Sequence, residues 1–339
     1  MLVRGDKMKK LILFISILLP ISILLAACGD DSKQVDSAAK DDQQLTIYTT
    51  VYPLQFFTEE IGGDAVHVET IYPPGSDEHT FDPSQQDMIN LADSDLFFYV
   101  GLGLEGFVEK AKGSLKDEDV TIVATGDSLL ATEAFSHQSE TAEHSEEDAH
   151  TEEEEHTDDD GHNHGDIDPH VWIDPIYAKE MAHSIKEALI SELPEKEEEF
   201  TKNYEALAEK LDQLNEQFNE VISPAEHKEI IVSHAAYGYW ESRYGLEQIS
   251  VSGLSTSSEP SQKELEKIIN TAKNEDIHYI FFEQNVSSKL TEIVQNEIGA
   301  EPLILHNLST RTEKDIENNA DYFTIMEDNL EALKTALQG

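Results

Sequence analysis

Between Pro194 and Ser223 the apolar residues fall at Phe200, Tyr204, Leu207, Leu211, Leu214, Phe218 and Val221, a spacing of 4, 3, 4, 3, 4, 3. That spacing makes a continuous surface only on an α-helix, as one buried stripe. Pro194 suits the first turn, where its missing N–H removes no bond. Glu195, Glu197, Glu198 and Glu199 put negative charge at the positive end of the helix dipole. Ser223-Pro224 ends the segment. A helix from Glu195 to Ile222 has 28 residues and spans about 42 Å at 1.5 Å per residue. Two readings of it stand: a strut joining two lobes, or a long surface helix of the second lobe.

On either side of this helix the pattern is different. Short runs at 45–50, 66–71, 96–100 and 120–124 are apolar or β-branched and bounded by Gly, Pro or Asp. Similar runs at 229–233, 248–251, 279–282 and 301–305 restart the pattern after the helix. Strands alternating with helical stretches imply parallel sheets covered by helices, hence an α/β fold. The chain has 339 residues, enough for two such lobes with cores of their own. The expected division is an N-terminal lobe over 45–194, the linking helix over 195–222 and a C-terminal lobe over 223–339. No internal sequence repeat accompanies the two lobes, so their likeness is architectural.

The first 44 residues read as an address. Lys7, Lys9 and Lys10 precede an apolar run from Leu11 to Leu25, followed by Ala26, Ala27 and Cys28. At roughly 15 residues the run is short for a membrane span, which needs about 20, and fits an export signal over 1–27. Leu25-Ala26-Ala27-Cys28 resembles the bacterial lipoprotein cleavage box, in which the cysteine becomes the lipid-bearing N-terminus; an ordinary signal peptide with an incidental cysteine is the alternative. Cys28 is the only cysteine, so an internal disulfide is excluded. Residues 28–44 are polar and read as a flexible tether. A lipid on Cys28 would hold the protein on the outer face of the cell membrane without spanning it. The formal net charge of -47 argues against nucleic acid, whose phosphates need a basic footprint.

Six of the 14 histidines, His137, His144, His150, His156, His162 and His164, lie in one acidic stretch. Histidine among carboxylates in an exported chain points to divalent metal. The irregular spacing of 7, 6, 6, 6 and 2 residues encodes no rigid four-ligand geometry. The insertion over about 133–166 is therefore expected to be disordered and to collect zinc weakly; an inert solvated loop is the alternative.

Four residues outside that stretch have a more pointed setting. His79 lies in the loop leaving the strand at 66–71, His234 directly follows the strand at 229–233, and Glu283 directly follows the strand at 279–282. In open α/β sheets ligands bind beyond the carboxyl ends of the strands. His170 sits between the acidic insertion and a helix expected to start near Pro175. Each residue alone has an ordinary explanation, as a surface histidine, a helix cap or a salt-bridge partner. His67, His183, His227, His278 and His306 have no comparable setting and read as structural.

Five motifs in order, Pro73-x-Gly75-x-x-x-His79, Asp168-Pro169-His170-Val171-Trp172-x-Asp174-Pro175, Ser233-His234-Ala235-Ala236-Tyr237, Gly253-Leu254-Ser255 to Glu259-Pro260-Ser261, and Phe281-Phe282-Glu283, resemble one family. It is the zinc-binding, substrate-binding lipoproteins of bacterial ABC-type metal importers, and the likeness runs from about Leu45 to the C-terminus. The resemblance implies two α/β lobes joined by a long rigid helix, with the metal in the cleft between them. It implies that His79, His170 and His234 are imidazole ligands of Zn²⁺ and that Glu283, at the carboxylate position of Gram-positive relatives, is the fourth; in some relatives a water or another acid serves. The manganese-binding branch carries Glu where His234 stands and Asp where Glu283 stands. Three imidazoles suit zinc better than manganese, which prefers oxygen.

The resemblance further implies a monomeric extracytoplasmic protein that captures zinc and delivers it to an ABC permease and its ATPase subunit in a Gram-positive-type cell. Manganese or broad divalent-metal binding, or an adhesin of the same fold, is the alternative. An enzyme is not expected: no H-E-x-x-H motif occurs, and four protein ligands would close the shell that catalysis needs open. The chain ends at Gly339, so no second metal-binding domain is expected after the C-terminal lobe.

Overall fold

The computed structural model describes residues 44–131, 167–284 and 288–338. The expected export signal, Cys28, the tether up to residue 43 and the six histidines of the acidic insertion lie outside these residues.

The eight expected strands are all present, within one residue at each end. They are β1 (Leu45–Thr49), β2 (Val66–Thr70), β3 (Leu96–Tyr99), β4 (Thr121–Ala124), β5 (Glu229–His234), β6 (Glu247–Ser252), β7 (Tyr279–Phe282) and β8 (Glu301–Ile304). They form two four-stranded sheets, ordered β2-β1-β3-β4 and β6-β5-β7-β8. Every pairing is parallel, with Ile47 opposite both Val68 and Leu96, and Ile231 opposite both Ile249 and Ile280. Parallel strands need crossovers that cover both faces, which is why β3 is buried at all four positions.

In each sheet the strand order reverses at one crevice, between β1 and β3 and between β5 and β7. Such switch points are where α/β sheets hold ligands. In the first sheet the protein fills the crevice itself. The buried Glu105 carboxylate accepts bonds from Thr50 Oγ1 (2.8 Å), Val100 N (2.8 Å) and Gly101 N (3.0 Å). Burial pushes its pKa up to about 7, while those donors oppose the shift. In the second sheet His234 ends β5 and Glu283 directly follows β7, so the crevice there carries chemistry.

The long helix runs from Glu197 to Ile222, preceded by a 3-10 turn over Pro194–Lys196. Proline thus opens the tighter turn, and three glutamates occupy the first α-turn. Phe200, Leu207, Leu211, Leu214 and Phe218 of the stripe are buried, with Tyr204 and Val221 at its half-buried margin. Full burial of such side chains contributes about 1.5–3 kcal/mol each. The helix touches both sheets' territories. Asn203 donates to the Ile61 carbonyl (2.9 Å) and Lys210 pairs with Glu60 (3.0 Å) on the first side. Phe218 packs on Trp240 with ring centroids 5.1 Å apart on the second. The strut reading fits these contacts.

One hydrophobic core runs continuously from the first sheet through the helices at 175–192 and 197–222 to Ile230, Val232 and Phe281 of the second sheet. The opposite face of the second sheet has its own smaller core, built on Ile231, Ile280 and Val251. The C-terminal helix Tyr322–Gln338 returns to the first lobe, where Tyr322 meets Phe57 at 5.0 Å and Phe323 meets Phe56 at 5.7 Å between ring centroids. Among the described residues no helix is long and apolar enough to cross a membrane.

Candidate metal centre

His79, His170 and His234 come together. One potential ligand atom from each lies within 4.8 Å of the other two. Their ring centroids stand 4.8 to 5.3 Å apart. They come from three different places: the loop after β2, the segment before the helix at 175–192, and the end of β5. The expectation from strand-end positions holds for His79 and His234. His170 is placed by other means.

His170 is fully buried, and its segment is held by aromatic side chains from the second lobe. Tyr239 Oη donates to the Asp168 carbonyl, Tyr322 Oη to that of Trp172 (2.9 Å) and Trp240 Nε1 to that of Ile173 (3.1 Å). Trp172 Nε1 donates in turn to the Asn307 carbonyl (2.7 Å). Asp174 caps the following helix through Ile176 N (2.9 Å) and Tyr177 N (3.1 Å), and it also binds Arg243. The DPHVWIDP segment thus encodes a clamp as well as a histidine.

The orientation of the rings suits a metal. His170 Nδ1 donates to Asp168 Oδ1 at 2.7 Å, which fixes the tautomer and leaves Nε2 unprotonated, its lone pair turned toward His79 Nε2. His79 Nε2 lies 3.2 Å from His170 Nε2. Two nitrogens bound tetrahedrally to zinc at 2.0–2.1 Å stand about 3.3 Å apart, so this edge already has the length zinc requires.

His234 is 2 % exposed. Its Nδ1 lies 2.6 Å from Glu283 Oε1 and its Nε2 lies 3.0 Å from the Leu254 carbonyl. Both neighbours are acceptors, so both nitrogens carry protons and the ring is an imidazolium. Burial lowers its pKa, but the hydrogen bond and charge of Glu283 outweigh this and push it up to about 9. His79 goes the other way. Burial, reinforced by the neighbouring histidines, pushes it down to about 3. Burial also lowers His170 despite Asp168. Two neutral imidazoles therefore face one charged one.

Glu283 is buried beside His234 and stands outside the trio of clustered ligand atoms. A second carboxylate lies here that sequence reasoning missed. Glu78, 4 % exposed, has Oε1 3.9 Å from His79 Nε2 and accepts from Asn307 Nδ2 (3.0 Å). Burial and the charge of Glu283 push its pKa up to about 7. Asn307 was missed as well. It also accepts from Ser309 N (3.0 Å) and Gln284 Nε2 (3.0 Å), joining the loops after β7 and β8 to the site. Neither residue carries a local sequence signal, because the burial of Glu78 and its bond to Asn307 arise only in the folded chain. The other described histidines stay apart: His67, His183, His227 and His278 are exposed, and His306 is buried against Asp315 (3.2 Å).

The chain was compared with known families and structures. Residues 47–336 match the family described as "Zinc-uptake complex component A periplasmic". The zinc-binding lipoprotein AdcA of Streptococcus pneumoniae (strain ATCC BAA-255 / R6) is 35% identical over 328 residues, covering 96% of this chain and 61% of AdcA. This chain thus spans less than two thirds of that relative. The high-affinity zinc uptake system protein ZnuA of Bacillus subtilis (strain 168) is 31% identical over 315 residues, covering 93% of this chain and 94% of the relative. The Zn(II)-bound ZnuA-like domain of Streptococcus pneumoniae AdcA superposes with a TM-score of 0.69 at 32% identity, covering 88% of this chain and all of that domain.

Proposed function

This chain belongs to the zinc-uptake complex component A family, and from that membership we propose that it captures Zn²⁺ outside the cytoplasm and delivers it to an ABC permease with its ATPase subunit. The observation that carries the reading is the His79–His170 edge of 3.2 Å, with the His170 ring held by Asp168 and zinc spacing already in place. His79, His170 and His234 are the proposed ligands, with Glu283 as the fourth once His234 gives up its proton. A nitrogen-rich set selects zinc over manganese. The family is defined by metal uptake, not by a catalysed reaction.

The proposed division of labour follows the two sheets: lobes over 45–194 and 223–339, linking helix over 195–222, metal between them. Cys28 is the proposed lipid-bearing residue, in keeping with relatives named as lipoproteins. Cys28→Ala should leave the protein unprocessed or free of the membrane; membrane retention of a correctly processed variant would refute the anchor. The insertion at 133–166 is the proposed weak zinc collector.

The function is tested by titrating metal-free protein with zinc and manganese in competition. Uptake of one tightly held zinc per chain, with manganese displaced, supports the proposal. Preference for manganese, or no tight site, overturns it.

A further inference from the structure

The three residues directly before His79 are each held by the other lobe. Thr310 Oγ1 donates to the Ser76 carbonyl (3.4 Å), Thr256 Oγ1 to Asp77 Oδ2 (2.5 Å) and Asn307 Nδ2 to Glu78 Oε1 (3.0 Å). Asp77 turns its other oxygen inward, where Oδ1 accepts the backbone N–H of His79 at 2.9 Å. One carboxylate thus links the backbone of a proposed ligand to a hydroxyl on the second lobe.

Thr256 belongs to a loop that closes on itself after β6. Gly253 N donates to the Ser258 carbonyl (3.2 Å), Ser258 N to that of Ser255 (2.9 Å) and Ala235 N to that of Gly253 (3.2 Å). Two residues before Thr256, the Leu254 carbonyl accepts from His234 Nε2 at 3.0 Å. The same short loop therefore reaches His234 through Leu254 and His79 through Asp77.

The three histidines are not equally fixed. His170 sits in the aromatic clamp and His234 ends a central strand. His79 rides on a segment entered through Pro73, Pro74 and Gly75, all exposed, with Gly75 at φ 75°. The continuous core keeps the lobes together, so the His79 segment is the part of the site freest to part from its partners. Of its three cross-lobe bonds, the one to Asp77 is the shortest, and it alone ends on a carboxylate that also holds the backbone N–H of His79.

We propose that Asp77 and Thr256 form a latch: positioning residues that hold His79 at the metal and govern how fast zinc leaves, without touching the ion. This rests on the zinc-capture reading. The bond acts after the ion has entered, because breaking it lets one ligand swing away. Its loss should therefore raise the release rate and leave the association rate alone.

The test uses the full chain with Thr256→Val, which removes the donor and keeps the shape, and Thr256→Ser, which keeps the donor. Zinc-loaded proteins are mixed with excess chelator and release is followed by stopped flow; association is measured separately. The valine variant should still take up one zinc and release it about tenfold faster, the scale of one hydrogen bond to a charged group. The serine variant should release within about twofold of the parent, since it retains that bond. Release from the valine variant at the parent rate, equal acceleration in both variants, or a change confined to association would overturn the latch. If the parent chain takes up no zinc, the capture reading fails and the latch falls with it, an outcome distinct from normal uptake with unchanged release.

Discussion

His234 and Glu283 are joined at 2.6 Å across the crevice between β5 and β7, although 49 residues separate them in the chain. The carboxylate keeps the imidazole charged, with its pKa pushed up to about 9. Zinc can bind this ring only by displacing a proton.

Zinc affinity should therefore fall with pH. Below about 9, the proton on His234 should cost about tenfold in affinity per pH unit. Below about 7 the fall should steepen, because Glu78 then also carries a proton that an arriving dication expels. His79 adds nothing near neutrality, since it stays neutral down to about pH 3. Competition titrations from pH 6 to 8.5 check this; a flat affinity across that range would contradict it.

The same shifts set the sign of stability in the metal-free protein. The raised His234 contributes stability that is fully present below its unfolded value of about 6.5 and is lost as pH rises through about 9. The depressed His79 and His170 oppose this. They favour unfolding as pH falls below about 6.5, because only the unfolded chain takes up their protons. Replacing His79 with Gln should thus reduce acid lability between about pH 6 and 4, read as a smaller drop in melting temperature. An unchanged pH dependence would count against the depressed imidazole.

Glu283→Gln tests the carboxylate. Glutamine can still accept from Nδ1, so the fold should survive with a melting temperature near that of the parent. Without the charge, His234 should lose its high pKa, and above about pH 9, where the parent ring is already neutral, zinc affinity should fall about 10–100-fold, the range for losing a carboxylate that supports a ligating histidine. Its pH dependence should flatten as well. Parent-like affinity and slope would show that Glu283 neither binds zinc nor sets the proton on His234.

Much of this was legible in the sequence. Short apolar or β-branched runs located all eight strands and the 3.6-residue period located the long helix, because burial on both faces of a sheet or along one helix stripe imposes those patterns directly. His79, His234 and Glu283 stood out because parallel sheets gather ligands at one edge. Glu78 and Asn307 did not. Their role depends on a contact 229 residues apart in the chain, which no local pattern records. The clamp on His170 was hidden for the same reason. Tyr239, Trp240 and Tyr322 look like core aromatics, and their polar ends meet the Asp168–Ile173 carbonyls only through tertiary packing.

Deleting residues 133–166 should leave the tight site intact and remove weaker zinc binding. None of the four proposed ligands falls in that stretch, whereas six histidines do. Titration of the deleted protein should show one tight zinc and fewer additional ones. Loss of the tight zinc, or unchanged weak binding, would contradict the assignment.

The central claim is that three imidazoles from two lobes hold one zinc. Anomalous diffraction collected on either side of the zinc absorption edge, from crystals grown with zinc, tests it most directly. The account predicts one peak at the cluster, about 2.0–2.1 Å from a ring nitrogen of each of His79, His170 and His234. A peak that leaves any one of the three unbound, or no peak at the cluster, would contradict it.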